Sequence, residues 1–377
     1  MEPIIKITHV IVGLDVGGAE RFLCRLIEAH RHHPRYEHRV ISLTGKGALG
    51  PALEASGIPV STLGMRRLTD APRTYRRLVR LLRAHRPDVL QCWMYYADLL
   101  GGLAARRLRI RNVLWGIRNS HFESGGTRLK RMIRKVCAWG SHYLPTTVVC
   151  VADSALDVHA RAGYDRSRMQ VIHNGYDPAS FTFSSTHRKQ LRDALGIHED
   201  GLIVGSVGRY SPAKDHASFI RAAAIVGQHM EHVRFLLVGR GLTKDNATIH
   251  ALIAATGMPE RFLLLGERSD VVACMSAMDV FCLHSTTEGF PNVLGEAMCI
   301  GLPCVSTDVG DARLLLGKTG MTVNGATPDD LARTLGDMLR LSPVQRRALG
   351  AQARQRIVDR YTLGHAVRKF EALYLST

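Results

Sequence analysis

Strand-like apolar runs alternate with helix-like segments along almost the whole chain, and that alternation limits its fold more than any single motif does. Short apolar runs fall at 4–12, 38–43, 89–92, 112–115, 147–151 and 169–173, with helical periodicity at 19–33, 72–85, 98–108 and 128–140. Strands and helices in this order predict βαβ units, hence parallel sheets with helices on both faces. The pattern breaks at Asn174-Gly175-Tyr176-Asp177-Pro178, and the polar stretch through about Lys189 reads as an interdomain connection. Alternation restarts with strands expected at 202–207, 234–238, 262–265, 280–283, 303–306 and 321–323. The expected fold is α/β, with two doubly wound Rossmann-like domains facing a central cleft. A length of 377 residues fits two full cores.

Bulk properties narrow the classes. Hydrophobic content of 46% with 22% charged residues is that of a soluble globular protein. No apolar run of about 18 residues is present, so a membrane-spanning helix is not expected. The N-terminal run lacks a basic leader and a small-residue cleavage site, and reads as a first buried strand. Eight cysteines form no CxxC pair, which predicts reduced core thiols in a cytoplasmic protein. Charge is the unusual feature. Net charge is +17, with 28 Lys and Arg against 14 Asp and Glu in residues 1–180, and 22 against 19 in the rest. An anionic partner for the first half follows: nucleic acid, membrane or phosphorylated substrate. The chain has no zinc-finger spacing and no RNA-binding signature, so nucleic acid is disfavoured.

The most informative stretch is Ser285 to Pro303, STTEGFPNVLGEAMCIGLP. Pro291 suits a first helical position, and Gly301 and Pro303 suit a helix end. Glu288 then lies in the loop before the helix, and Glu296 about one and a half turns inside it. Free N–H groups at such a helix start favour an anion such as phosphate. Carboxylates beside that anion need another task, and accepting hydrogen bonds from hydroxyls is the natural one. Phosphate with many hydroxyls describes a nucleotide sugar.

Other strand ends carry weaker signals. Gly13, Gly17 and Gly18 form a glycine turn after the first strand, without the GxGxxG spacing of a nicotinamide site. Arg209 and Lys214 follow strand 202–207, as a diphosphate clamp or as solvated loop charges. Residues 235–241 and 263–270 are further strand–glycine turns; the second carries Arg268 and is placed to hold a nucleobase. Trp93-Met-Tyr-Tyr-Ala-Asp98 and Trp115-Gly-Ile-Arg118-Asn-Ser-His121 end two first-half strands, and their aromatics suit either sugar stacking or core packing. Two helices are strongly basic: Arg73, Arg76, Arg77, Arg80 and Arg83 on one, Lys130, Arg131, Arg134 and Lys135 on the other. Each reads as a solvated face or as a dock for anionic lipid.

Taken together, GGAER at 17–21, GRYSPAKDH at 208–216, LLVGRG at 236–241 and EGFPNVLGEAM at 288–298 with GLPCVSTDVG at 301–310 resemble retaining glycosyltransferases of family 4, with the GT-B fold. Among these the chain resembles bacterial surface-polysaccharide and lipopolysaccharide enzymes. The resemblance spans nearly the whole chain. It implies an acceptor-side domain at 1–178, a nucleotide-sugar donor domain at 179–362, and a C-terminal helix at 363–377 crossing back to the first domain. It also implies that Arg209 and Lys214 hold the donor diphosphate, that Glu296 takes ribose hydroxyls, and that Glu288 takes hydroxyls of the donor sugar. Backbone groups of Gly289, Phe290, Pro291 and Asn292 lie near sugar or phosphate, Arg268 belongs to the donor site, and Gly17-Gly18 closes over the diphosphate. The implied chemistry is metal-independent, retaining sugar transfer from a UDP- or GDP-linked donor, with no further cofactor. The acceptor is a glycan or lipid-linked sugar, at the cytoplasmic face of an anionic inner membrane. The chain departs from the family where many relatives carry a histidine: Gly116-Ile117-Arg118 stands there, so Arg118 or His121 takes that place. Alternatives are a soluble acceptor, a GT-B nucleotide-sugar epimerase or, last, a non-catalytic nucleotide or nucleic-acid binder.

Overall fold

The computed structural model describes residues 3–120, 128–198, 200–325 and 327–376, and they form two compact units. One comprises residues 1–175 with 363–377, and the other 176–362.

In the first unit the strands are β1 (Ile5–Ile11), β2 (Tyr36–Ser42), β3 (Val60–Thr62), β4 (Val89–Trp93), β5 (Asn112–Ile117), β6 (Thr147–Cys150) and β7 (Met169–Val171). They form one parallel sheet in the order β3-β2-β1-β4-β5-β6-β7. The helices between them are α1 (Gly18–Ala29), α2 (Gly50–Ala55), α3 (Ala71–His85), α4 (Tyr95–Leu108), α5 (Arg128–Gly140) and α6 (Asp153–Arg161). Strands covered on both faces read as unbroken apolar runs, and β4 and β5 are buried at every residue. The short pair α2 and β3 was not expected from sequence; three residues carry too little periodicity to register.

The second unit holds α7 (Ser185–Ala194), β8 (Leu202–Val207), α8 (His216–His229), β9 (Val233–Val238), α9 (Ala247–Ala254), β10 (Phe262–Gly266), α10 (Val271–Ala277), β11 (Val280–Leu283), α11 (Asn292–Ile300), β12 (Cys304–Ser306), α12 (Ala312–Leu316), β13 (Met321–Thr322), α13 (Pro328–Arg340) and α14 (Pro343–Arg360). Its parallel sheet runs β10-β9-β8-β11-β12-β13. The second half of the stretch expected to be a connection is instead α7, capped by Ser184 Oγ, which accepts the His187 N–H at 3.2 Å. Arg188 and Arg192 of that polar helix grip Asp279 at 2.6 and 3.2 Å, and Asp279 Oδ2 accepts the Ile203 N–H at 2.8 Å. Buried charge on an otherwise hydrophilic helix hid this docking from a hydrophobicity reading.

The final helix, α15 (Leu363–Leu375), belongs to the first unit. Val367, Phe370 and Tyr374 recur at helical spacing and are buried, with the Phe370 ring 5.9 Å from that of Phe22 on α1. Tyr374 donates its hydroxyl to Gln91 Oε1 at 2.6 Å, and Asn112 Nδ2 donates to the Leu373 carbonyl at 2.7 Å. Each fully buried aromatic of this kind is worth about 1.5–3 kcal/mol.

Candidate functional site

Ligands of open α/β sheets bind beyond the carboxyl ends of the strands. In the second unit three loops meet there, following β8, β11 and β12. Thr286 N–H donates to the Ala213 carbonyl at 2.9 Å, joining the first two loops. Asp311 N–H donates to the Gly289 carbonyl at 3.0 Å, joining the third. Gly310 takes φ +54°, and any Cβ there would strike the carbonyls of Glu288 and Gly289. Glycine is thus required for close backbone approach beneath the acidic loop.

Lys214 Nζ lies 2.5 Å from Glu288 Oε1, and Ser285 Oγ donates to the same oxygen at 2.7 Å. The stem of Lys214 runs past Gly208, its Cε 3.4 Å from where a Cβ would stand, an ordinary packing distance. Asp215, at φ +46°, caps α8 by accepting the Ser218 N–H at 3.2 Å and fixes the turn that carries Lys214. Beneath that turn His284 is buried, stacked on Phe219 at 4.6 Å, with Nε2 2.7 Å from Ser206 Oγ. Burial pushes the His284 imidazole down to about 3, and burial with the Lys214 charge pushes His216 to about 4. Both rings are neutral at physiological pH, so Lys214 faces no competing cation from below.

Not all expected site residues converge. Arg209 is exposed at the end of β8. Arg268 is exposed, and its fork is taken up by Asp270 at 2.8 and 2.6 Å. Glu296 is buried on α11. Pro291 caps α11, which starts one residue later than the proline spacing suggests, so Asn292 opens the helix and Glu296 lies a turn and a third inside. The side chain of Phe290 is core, with its ring against Tyr176 and Tyr361 at 6.1 and 5.9 Å.

In the first unit Gly17 caps α1 and Gly18 begins it, and neither takes positive φ. A Cβ at Gly17 would meet only the mobile end of the Glu20 side chain, so the space there does not demand glycine. Arg118 follows β5, stacked over Phe22 and Trp93 at 4.6 and 5.1 Å, and donates Nη2 to Asn174 Oδ1 at 2.7 Å. Desolvation lowers its pKa to about 9, partly opposed by Glu20. His121 lies outside the described residues.

A cavity of about 550 Å³ opens beside these groups, lined by Gly13, Glu20, Tyr95, Asn119, Lys130 and Arg134 among others. His159 Nδ1 stands 2.7 Å from the Ala155 carbonyl, which makes Nδ1 the donor and leaves Nε2 to accept the Tyr95 hydroxyl at 2.7 Å. Met94, also on the cavity wall, holds φ +75°, a strained conformation for a side-chain-bearing residue. Sequence reasoning noticed the Trp93–Asp98 loop but not this wall. Trp93 is a buried strand residue, and from sequence Lys130 and Arg134 read as a solvated face or as part of a dock for anionic lipid.

Residues 201–340 match the family model described as Glycosyl transferases group 1, and residues 16–180 match that described as Glycosyltransferase Family 4. EpsF of Bacillus subtilis (strain 168) is 26% identical over 326 residues, covering 80% of this chain and 79% of its own. The UDP-Gal:alpha-D-GlcNAc-diphosphoundecaprenol alpha-1,3-galactosyltransferase of Escherichia coli is 23% identical over 304 residues, 79% of this chain and 78% of its own. Among solved structures, Anabaena HepE in complex with UDP superimposes with a TM-score of 0.88 at 22% identity, over 99% of this chain and 100% of that one. At that identity the likeness speaks for the fold, which is GT-B. With two family models covering most of the chain between them, the protein belongs to glycosyltransferase family 4 and is a glycosyltransferase.

Proposed function

We propose that this glycosyltransferase moves a sugar from a UDP- or GDP-linked donor to a glycan or lipid-linked acceptor in surface polysaccharide synthesis, with retained anomeric configuration and without a metal. The observation that carries the reading is the Lys214–Glu288 pair at the joined ends of β8 and β11. A cation suited to phosphate and a carboxylate suited to hydroxyls share one place, next to the start of α11.

In this reading the donor diphosphate replaces Glu288 as the partner of Lys214, and Arg209 swings onto it from the surface. These two cations and the first-turn N–H groups of α11 then stabilise the charge that builds on the leaving nucleotide. Glu288, released, accepts hydroxyl hydrogen bonds from the sugar; Glu296 accepts those of the ribose. Arg118 faces the acceptor. The 550 Å³ cavity beside Tyr95 and Lys130 holds the acceptor sugar. HepE has been solved with UDP and with UDP-glucose, and the Escherichia coli relative is named for a diphosphoundecaprenol acceptor; both chemistries suit these residues. Seven of the eight cysteines are buried and none is paired, which suits the cytoplasm. No helix among the described residues is long and apolar enough to cross a membrane.

A thermal-shift panel of nucleotide sugars, repeated with Lys214→Ala, Glu288→Ala and Glu296→Ala, tests the donor site, since a ligand of the native state raises its stability. The expected result is stabilisation by one nucleoside diphosphate family. No response to any nucleotide would end the proposal. Product anomer by NMR tests retention, and undiminished turnover in EDTA tests metal independence.

A further inference from the structure

The structure separates the two basic helices that sequence alone treats alike. On α3 the apolar side is spent: Leu78, Val79 and Leu82 are buried, and the outward arginines stand without any exposed large apolar neighbour on that helix. On α5 only Ile133, Cys137, Ala138 and Gly140 are buried. A second apolar stripe faces solvent: Leu129, Met132, Val136, Trp139 and, just past the helix, Tyr143, spaced by three and four residues. Their exposures run from 39% for Leu129 and Val136 to 56% for Met132, 61% for Tyr143 and 69% for Trp139. The Trp139 and Tyr143 rings lie 5.5 Å apart at one end of the stripe.

A contiguous apolar stripe in water is costly and marks an interaction surface. Its chemistry selects the partner. The helix carries Arg128, Lys130, Arg131, Arg134 and Lys135 and not one carboxylate. A protein groove would complement such a stripe with matched carboxylates at fixed places. A bilayer instead offers a diffuse sheet of negative charge over hydrocarbon, and Trp and Tyr prefer that boundary. We infer that α5 is a docking helix that lies in the interface of an anionic lipid bilayer, its Leu129–Tyr143 stripe among the acyl chains and its cations at the phosphates.

This inference deepens the lipid-linked-acceptor part of the proposed function and rests on it. It also assigns the geometry of delivery. Lys130 and Arg134, on the same helix, line the 550 Å³ cavity, so a helix lying in the lipid surface would bring that cavity to the headgroup level where a lipid-linked acceptor presents its sugar.

Of the three tryptophans, Trp93 and Trp115 are 1% and 0% exposed, so Trp139 reports its own surroundings. Adding phosphatidylglycerol-containing vesicles to the full chain should shift Trp139 emission to the blue and expose it to quenching by brominated lipid. Pure phosphatidylcholine should act weakly, and salt should reverse binding. In flotation, Met132→Ser with Trp139→Ser should abolish capture. Arg131→Gln with Lys135→Gln should weaken it about fivefold per cation removed, while Arg76→Gln with Arg80→Gln on α3 should leave it unchanged. Unmoved wild-type emission overturns the inference without any variant, as does α5-variant capture equal to wild type in protein whose melting is intact. If vesicles bind through α5 and no nucleotide sugar binds, the proposed function falls and the docking helix stands. If nucleotide sugars bind and Trp139 ignores lipid, the docking helix alone falls.

Discussion

The ammonium of Lys214 stands 2.5 Å from Oε1 of Glu288, a residue 74 positions later, and each is no more than about one-fifth exposed. In the proposed function, the pair is what the donor must part. Removing Glu288 releases Lys214 from a competitor, so Glu288→Ala should bind plain nucleoside diphosphate as well as or better than wild type, and the nucleotide sugar worse. Lys214→Ala should weaken both by about ten- to a hundredfold, the worth of hydrogen bonds to a charged group. Calorimetry on both ligands decides. Equal losses for the two ligands in Glu288→Ala would remove the assignment of that carboxylate to the sugar.

Gly310→Ala should damage the same loop from behind. The left-handed φ already strains a side-chain residue, and the new methyl meets the carbonyls of Glu288 and Gly289. A cost of about 1–3 kcal/mol is expected, with kcat falling further than stability because the acidic loop must shift. Melting temperature and kcat both unchanged would show that the loop is not held as described.

Asp98 has a different signature. It is fully buried on α4, where Oδ1 accepts the Gly116 N–H at 3.2 Å and Oδ2 has no partner. Desolvation raises its pKa to about 8, so at neutral pH it is folded in its protonated form. A raised carboxyl pKa contributes its stability below the unfolded value near 4 and loses it as pH climbs toward 8. Asp98→Asn, which cannot ionise, should therefore gain on wild type as pH rises from 4 to 8. Melting curves across that range with a constant difference would contradict it.

A chain of imidazoles ties β1, β2, α1 and α15 together. Trp93 can only donate, so His9 Nδ1 accepts, at 3.4 Å. His9 Nε2 then donates to His38 Nδ1 at 2.9 Å, His38 Nε2 to His30 Nδ1 at 3.0 Å, and His30 Nε2 faces Glu371 at 3.3 Å. One end only donates and the other only accepts, so all three rings are neutral and share one polarity. Burial lowers all three pKa values, His38 to about 3. Depressed histidines contribute stability above about 6.5 and lose it as pH falls toward their folded values. Melting temperature should drop steeply below pH 6.5. His38→Leu should be less stable at pH 7.5 by about 1–3 kcal/mol, from partners left unsatisfied, yet show a shallower acid slope. An unchanged slope would mean that these rings do not govern acid lability.

The sequence by itself determined the architecture. Parallel strands buried on both faces must read as apolar runs, and helices between them must show a 3.6-residue period, so two α/β units were legible before any coordinates. It also determined the acidic loop and α11, because Pro291, Gly301 and Pro303 act locally on the backbone. What only tertiary structure decided depends on contacts between distant residues. The Lys214–Glu288 pair, the need for Gly310 and the Tyr95 cavity wall join loops from different strands, and no local spacing encodes which loops meet. The same holds for α3 and α5. Their basic, amphipathic sequences are alike, and only packing shows that α3 spends its whole apolar side on the core while α5 keeps a second stripe for solvent, since periodicity tells which residues share a face but not what covers it.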